Sequence, residues 1–594
     1  MGATRGTPCP DPGRRPGRWP GRCRSRGNGR RSMTARMSLG LLLVLLGCGD
    51  PSTERNATPE ESESADAVPV RLVRIDEAAG LATIDITTGE DPATTILEVK
   101  GTGLGVLDAD GDGDLDLVVP NGSTLDRPAA GPGAIYLRNL LVENGRLEFE
   151  DATAGSGLES HRDWSFGVAS GDVDGDGHQD LVIATLGRDR LWLGSGDGTF
   201  EDASDRWGLP EEESGWTATA GLGDLDADGD LDLVTVGYLD IDPSDPPGTS
   251  TFRGIEVLSG PRGLEPRADR WFENVGDRFE VREVPATARY GLNLVILDVD
   301  GDGRQDVIVG NDSHPNQYHR NLGDWNFEEI AVRTGIAMNR EGDAQATMGM
   351  AVADVDGDAR PDLFSTNFSS DTNTLHVNRE GFFDDLTRPM GLAEGSRPML
   401  GWATEFVDLD HDGDEDLLAV NGHVYPQATM ESMDSTHAQA PGLWLKEGDR
   451  FRFIDPTDPD RSSMVAANAW LTEPRHDRAA VFADLDRDGD VDVVIAERNG
   501  SLRILENRHD RTDDWIVVEP VPALGAEVEI ETARGVQRRW IRGGGPFQSN
   551  VAPEAHFGLG PAASGPVRIR VRWPDGGMAD VTSDPGRRVR VERP

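Results

Sequence analysis

Seven stretches of this chain repeat one acidic nonapeptide, D-x-D-x-D-G-x-x-D followed by Leu or Val. The four carboxylates are Asp108, Asp110, Asp112 and Asp116 in the first copy and Asp172, Asp174, Asp176 and Asp180 in the second. They are Asp224, Asp226, Asp228 and Asp232 in the third, and Asp298, Asp300, Asp302 and Asp306 in the fourth. The last three copies hold Asp354, Asp356, Asp358 and Asp362, then Asp408, Asp410, Asp412 and Asp416, then Asp484, Asp486, Asp488 and Asp492. Four carboxylates within nine residues repel one another unless a cation lies among them. Hard oxygen donors at alternate positions, with a sharp turn at the sixth, suit Ca²⁺. Positions 1, 3, 5 and 9 are expected to offer side chains. Position 7 is expected to offer its backbone carbonyl, from Asp114, His178, Asp230, Arg304, Arg360, Asp414 or Asp490. Up to seven Ca²⁺ are therefore the expected cofactors. Six copies have glycine at position 6, and the fifth has Ala359. A left-handed turn there costs an L-residue about 1–2 kcal/mol.

The loop resembles a shortened EF-hand, its last carboxylate coming from position 9 rather than 12. The elements that hold it are legible on either side. The starts lie 64, 52, 74, 56, 54 and 76 residues apart, the size of one supersecondary unit per copy. A short apolar run precedes each loop, such as 103–107 or 350–353, and a β-branched run follows, such as Leu115 to Val119. That reads as strand, metal loop, strand. A third run carries Leu or an aromatic residue (Leu191-Trp192-Leu193, Leu443-Trp444-Leu445), and a fourth follows a Gly-rich turn (Gly198 to Asp202). Seven four-stranded repeats over about 69–508 predict an all-β fold, a seven-bladed β-propeller, which leaves no long exposed edge. The seventh repeat lacks its fourth strand, and the run Val70 to Ile75 is expected to supply it and close the ring. A rod of tandem calcium motifs is disfavoured, because strands separate the loops and cysteine is nearly absent.

Residues 512–594 alternate apolar and polar positions in short runs, Trp515 to Val518, Ala526 to Ile530 and Val567 to Trp573, which predicts a small β-sandwich. The net charge is −48. Residues 1–47 hold ten Arg and one Asp, so the rest carries −57. Such a chain has no electrostatic reason to bind nucleic acid or an anionic membrane surface. Met37 to Cys48 is a short apolar run after Arg36 that ends in Leu-Leu-Gly-Cys, too short to span a bilayer. It resembles a bacterial lipoprotein signal peptide, with Cys48 as the lipidated residue. Residues 1–47 are then extension and signal, with Met33 or Met37 the expected start. Residues 48–68 form an acidic linker. The expected location is an exported bacterial lipoprotein, at the outer membrane, cell surface or periplasm. Membrane contact is expected only through that anchor. Cys9, Cys23 and Cys48 are the only cysteines, so no disulfide framework and no Cys-based metal chemistry is expected in the mature chain.

Each loop, with a preceding Phe166-Gly167-Val168-Ala169 or Met348-Gly349-Met350-Ala351, resembles the FG-GAP (VCBS-type) repeat of integrin α-chain propellers. Further on, Leu524-Gly525-Ala526 precedes Arg538-Arg539-Trp540-Ile541-Arg542-Gly543-Gly544-Gly545, then His556-Phe557-Gly558-Leu559-Gly560 and Trp573-Pro574-Asp575-Gly576. That order resembles the ASPIC/UnbV domain. The combination, over about 70–594, resembles the CRTAC1-like (cartilage acidic protein-like) family. Asn421-Gly422-His423-Val424-Tyr425-Pro426 is similar to a stretch of its bacterial members. Two departures stand out. The segment before Gly525 is short, and the Cys-rich EGF-like module of animal members is missing.

The face opposite the acidic loops should collect Trp164, Trp216, Tyr290, His314, Trp402, His423 and Tyr425. These residues are either blade packing or a surface for a protein or glycan partner. Asn121, Asn311, Asn367 and Asn421, thirteen residues after their loop starts, read as turn residues or as part of that surface. Insertions at Asp240 to Arg270 and Val424 to Pro441 are expected to rise there and shape a cleft. The expected function is non-catalytic adhesion or recognition. The alternative is a calcium-dependent polysaccharide lyase using His423 or Tyr425 as base beside Arg289. No nucleophile elbow, phosphate loop or His-Glu-x-x-His is present.

Overall fold

The computed structural model describes residues 68–211, 215–508, 515–560 and 565–594. Cys48, the signal segment and nearly all of the acidic linker lie outside the described residues.

Seven antiparallel sheets of four blade strands follow one another along the chain. Blade 1 is Gly105–Leu107, Asp116–Val119, Ile135–Asn139 and Phe149–Asp151, paired in sequence order. In every blade the first two strands are the hairpin that the acidic loop connects, and in all seven the register begins at the position-9 Asp, as in Leu107 opposite Asp116. The loop is thus a hairpin turn whose two ends are already fixed by the ladder. Blade 7 contributes only Asp477–Ala483, Asp492–Glu497 and Leu502–Asn507. Its outer strand is the N-terminal Leu72–Arg74, with Leu72 opposite Asn507. The ring closes as Val70 to Ile75 predicts. Neighbouring blades bury shared cores, such as Val106, Val119 and Leu137 of blade 1 with Val481, Val494 and Ile504 of blade 7. The blade strands carry Val, Ile and Leu on both faces because each sheet packs on two neighbours.

The C-terminal residues form two sheets over one core. One holds Ala555–Gly558, Trp515–Val521 and Arg587–Glu592; the other holds Gly535–Trp540, Glu527–Thr532, Val567–Arg572 and Met578–Ser583. Ile516, Val528, Ile530, Phe557, Ile569 and Trp573 fill the space between them. This domain also lends Gly543–Gly544 to blade 4 as a fifth strand, opposite Val295 and Ile296 of the innermost strand.

Both ends of the propeller axis are filled. From the side away from the acidic loops, Ile96, Leu97 and Val99 pack among Trp164, Trp216, Tyr238, Tyr290 and Trp402. From the loop side comes the segment 543–550. Its Gly545 carbonyl accepts from Met350 N–H of blade 5 and from the Asn293 side chain of blade 4. The Gln548 carbonyl accepts from Val168 N–H of blade 2, and the Asn550 side-chain amide accepts from Val106 N–H and donates to the Val106 carbonyl of blade 1. Phe547 reaches Trp402, centroids 4.9 Å apart, so the two plugs share one core.

Candidate metal loops and their cover

The seven loops share one internal hydrogen-bond scheme. The first Asp accepts from the position-6 N–H in every copy, from Gly113 to Asp108 at 3.2 Å through Gly489 to Asp484 at 3.1 Å. The position-5 Asp accepts from the position-7 N–H in every copy, at 2.9–3.1 Å. The position-9 Asp accepts the N–H of a third-strand residue: Asn139, Gly194, Asn274, Asn321, Asn378, Lys446 or Asn507. Carboxylate oxygens lie within 4.8 Å of one another in the sets Asp108–Asp110–Asp112, Asp172–Asp174–Asp180, Asp224–Asp226–Asp232 and Asp298–Asp300–Asp302. Asp172 Oδ1, Asp224 Oδ1, Asp300 Oδ1, Asp416 Oδ2 and Asp484 Oδ1 are buried and have no hydrogen-bond partner. Burial pushes the Asp116, Asp232 and Asp362 carboxyls up to about 8 and Asp180 up to about 7. Convergent, unpartnered carboxylate oxygens that resist ionising alone are a donor set for a hard divalent cation, which would reverse that shift.

The turn is left-handed at position 6 in every copy, including Ala359 at φ 68°. It is also left-handed at position 4, where Ala227, His411 and Arg487 replace glycine in loops 3, 6 and 7. The sequence reading singled out position 6 alone. The fifth loop is therefore one of four that hold an L-residue in a strained conformation.

A second unread feature links the blades. Asn139, Asn274, Asn321 and Asn507 end their third strands, and Asn378 lies one residue before the end of its own. Each donates its side-chain N–H to the position-2 carbonyl of the preceding blade's loop, as Asn139 does to Leu485 at 3.0 Å and Asn321 to Leu225 at 2.7 Å. Lys446 does the same for Val355 in blade 6. The signal was available: the third runs end Leu-Arg-Asn, Phe-Glu-Asn, His-Arg-Asn, His-Val-Asn and Leu-Glu-Asn.

The C-terminal domain lies on the acidic-loop side. Arg538 donates to the Ala359 carbonyl of loop 5 and Arg534 to the Asp412 carbonyl of loop 6. Arg539 pairs with Glu415 at 2.9 Å. At loop 7, Arg588 pairs with Asp484 at 2.5 Å and also binds Glu519 and Glu554, while His556 shares a hydrogen bond with the Gly489 carbonyl. Below them Arg542 and Glu405 form a buried pair at 2.6 Å. Burial pushes the Glu405 carboxyl up, and Arg542 opposes that. Residues 512–594 hold eleven Arg and eleven Asp plus Glu, so this neutral domain meets the acidic face through directed guanidinium bonds.

The opposite face departs from expectation. Trp164, Trp216, Tyr290, Trp402, His423 and Tyr425 are all buried. Of the seven aromatic and histidine candidates for a partner surface, only His314 is partly exposed, stacked on Tyr290 at 4.3 Å. The physical reason is the axial plug. Once Ile96 to Val99 fills the opening, these rings become its walls. The two insertions cover the centre instead of shaping a cleft. The hairpin Thr249–Phe252 and Ile255–Leu258 reaches across so that Arg253 donates to the Met433 carbonyl at 3.1 Å, and Phe252 packs on Phe368 and Tyr425. His423 has both ring nitrogens engaged, by Ser369 Oγ and by Tyr425 N–H, and burial holds it down at about 3. Burial pushes Tyr425 up to about 12, and Arg289 is held by the Pro315 carbonyl. The four Asn residues are turn-holders. Asn121 sits at φ 62°, and Asn311, Asn367 and Asn421 donate to the carbonyls of Pro315, Thr372 and Ala440. Beneath the lid, Lys100 pairs with Asp312 at 3.1 Å and Tyr238 donates to the same carboxylate.

The comparisons agree with this two-part construction. The FG-GAP-like repeat model matches residues 108–183, 172–235, 298–365 and 354–419, and the ASPIC and UnbV model matches 519–591. Cartilage acidic protein 1 of Xenopus tropicalis is 24% identical over 513 residues, covering 80% of this chain and 70% of that protein. The Homo sapiens protein of the same name is 23% identical over 517 residues, covering 80% and 69%. Among solved structures, an Agrocybe aegerita lectin that recognises non-reducing terminal N-acetylglucosamine matches with TM-score 0.35 and 15% identity, over 72% of this chain and 86% of that one.

Proposed function

The chain belongs to the CRTAC1-like (cartilage acidic protein-like) family, an FG-GAP propeller followed by an ASPIC/UnbV domain, and from that premise we propose a calcium-stabilised, surface-anchored recognition protein without catalytic activity. The observation that carries the calcium reading is the shared loop geometry. The seven copies repeat the same backbone bonds, and Asp172, Asp224, Asp300, Asp416 and Asp484 each keep one buried oxygen without a partner. The Asp side chains at positions 1, 3, 5 and 9 would hold Ca²⁺, which supplies charge neutralisation and cross-links each hairpin turn. Cross-links of this kind stand where a disulfide-poor exported protein has no others.

The recognition reading is supported by the filled axis. The residues recruited to a lyase mechanism are engaged elsewhere: His423 is a buried neutral imidazole with both nitrogens bonded, and Arg289 is committed to a carbonyl. Binding of a protein or glycan then falls to the outer surface: the uncovered loops of blades 1, 2 and 4 and the lid of the two insertions. The anchor is Cys48, at the end of the Leu-Leu-Gly-Cys run. Cys48→Ser is expected to leave an unlipidated precursor. A mature N-terminus at any residue other than Cys48, read by mass spectrometry, removes the anchor from the proposal. The test of function is capture on glycan arrays and from surface extracts with the calcium-loaded chain. Retained binding without turnover supports recognition, and depolymerised glycan overturns it.

A further inference from the structure

Two histidines on the lid side belong to none of the features above. His437 lies in the insertion 424–441, and His476 lies just ahead of the innermost strand of blade 7. Reciprocal backbone bonds between Gln439 and Arg475, 2.9 Å each way, hold the two segments side by side. His476 Nε2 is 3.1 Å from His437 Nδ1, and the ring centres are 4.2 Å apart with planes at 51°. A straight N–H···N bond between imidazoles would set the centres about 5.4 Å apart, one ring radius beyond each nitrogen. At the observed spacing the rings fold together, and their two nitrogens draw towards a common point beside the pair. Two imidazoles bound at about 2.0–2.1 Å to one tetrahedral metal have nitrogens about 3.3 Å apart.

The surroundings fit such an ion. Asp91, on the segment that enters the axis, acts electrostatically on both rings and pairs with Arg498 at 3.4 Å. Burial, together with neighbouring positive groups, Arg478 and Arg498 among them, holds both imidazoles down at about 4. Arg478 donates to the carbonyls of Val99 and Gly422, and Arg498 to those of Glu90 and Glu98 as well as to Asp91 at 3.4 Å, so Asp91 would exchange that arginine for the ion. We propose that His437, His476 and Asp91 form a site for a divalent transition cation of the zinc type. Nitrogen donors select such an ion, and the all-oxygen loops select a hard one, so the two sites do not compete. Bound there, the ion would tie the insertion, blade 7 and the axial segment together.

The test uses the full chain with Ca²⁺ in excess, titrated with ZnCl₂ by calorimetry, and with Cu²⁺ followed by electron paramagnetic resonance. One Zn²⁺ per chain is expected. Affinity should fall about 100-fold in His437→Ala and in His476→Ala, and about tenfold in Asp91→Asn. His314→Ala, which removes a histidine elsewhere on that face, should bind as the parent does. Zinc affinity weaker than about 100 µM, or binding that both histidine variants retain, overturns the site. Should either variant fail to fold, the Cu²⁺ spectrum of the parent decides: two coupled nitrogens sustain the proposal, and none refutes it.

Discussion

Loops 1, 2 and 4 share their nine-residue pattern with loops 6 and 7 but not their surroundings. In the first group the leading carboxylates, Asp108, Asp172 and Asp298, remain partly open to solvent. In the second group Asp408 and Asp484 are buried beneath the C-terminal domain. Burial raises the carboxyls of both groups, and it raises Asp408 and Asp484 well above the ordinary range. What answers that charge differs. The open loops draw on arginines of their own blade, as Arg320 does for Asp300. The covered loops add guanidinium groups from more than a hundred residues away, Arg588 on Asp484 and Arg534 on the Asp412 carbonyl. A repeat therefore specifies a turn and its donors, and the fold specifies how each copy is neutralised.

The largest test of this contrast is removal of calcium. At a hundredfold excess over its Kd, each site adds about 2.7 kcal/mol to folding stability. Seven sites make EDTA the most destabilising single treatment, with a fall in the calorimetric midpoint that added Ca²⁺ restores. If loops 6 and 7 draw part of their compensation from arginines, they should hold structure longest, which hydrogen exchange can read loop by loop. An unchanged midpoint after verified metal removal would end the structural-calcium reading.

Next in size is the buried link that seats the cover. Arg542→Ala leaves Glu405 buried without its cation, at an expected cost of about 3–5 kcal/mol. Calorimetry should then resolve separate transitions for the propeller and the C-terminal domain. Replacing the pair by Arg542→Met and Glu405→Leu together should recover most of the loss. Failure of the double variant to recover would show that shape, rather than the charge pair, seats the domain.

The asparagine stitches give a smaller effect that again divides the groups. Removing either side chain strands a carbonyl, at about 1–3 kcal/mol. Asn507→Ala, which frees the Leu409 carbonyl under the C-terminal domain, should cost more than Asn274→Ala, which frees Val173 in loop 2. Urea midpoints of the two variants measure the difference. Equal costs would mean water reaches both sites.

The smallest effects come from the left-handed positions. Ala359→Gly and Ala227→Gly each relieve a residue held at φ 68° or 64°, and each should stabilise the calcium-loaded protein by about 1 kcal/mol. A destabilised Ala359→Gly protein would show that the turn has no need of glycine. A gain at one site and not the other would show that the cover changes the strain.

Local patterns along the chain set the blade and its acidic turn. Asp spacing, the glycine at position 6 and alternating apolar runs are local signals, and a hairpin closed by nine residues is a local structure. Those patterns also set the closing strand, since a seventh repeat with three strands requires a fourth from elsewhere. Which surface is open was settled by long-range packing. Trp164, Trp216 and Trp402 read equally well as a binding face or as packing, and the axial segment Ile96 to Val99 made them packing. The Gly543-Gly544-Gly545 run was legible as a family motif, yet its seat against blade 4 depends on a close backbone approach. A Cβ on Gly543 would lie 2.2 Å from the Leu222 carbonyl oxygen. Contacts of that kind join residues hundreds of positions apart, where no local pattern records them.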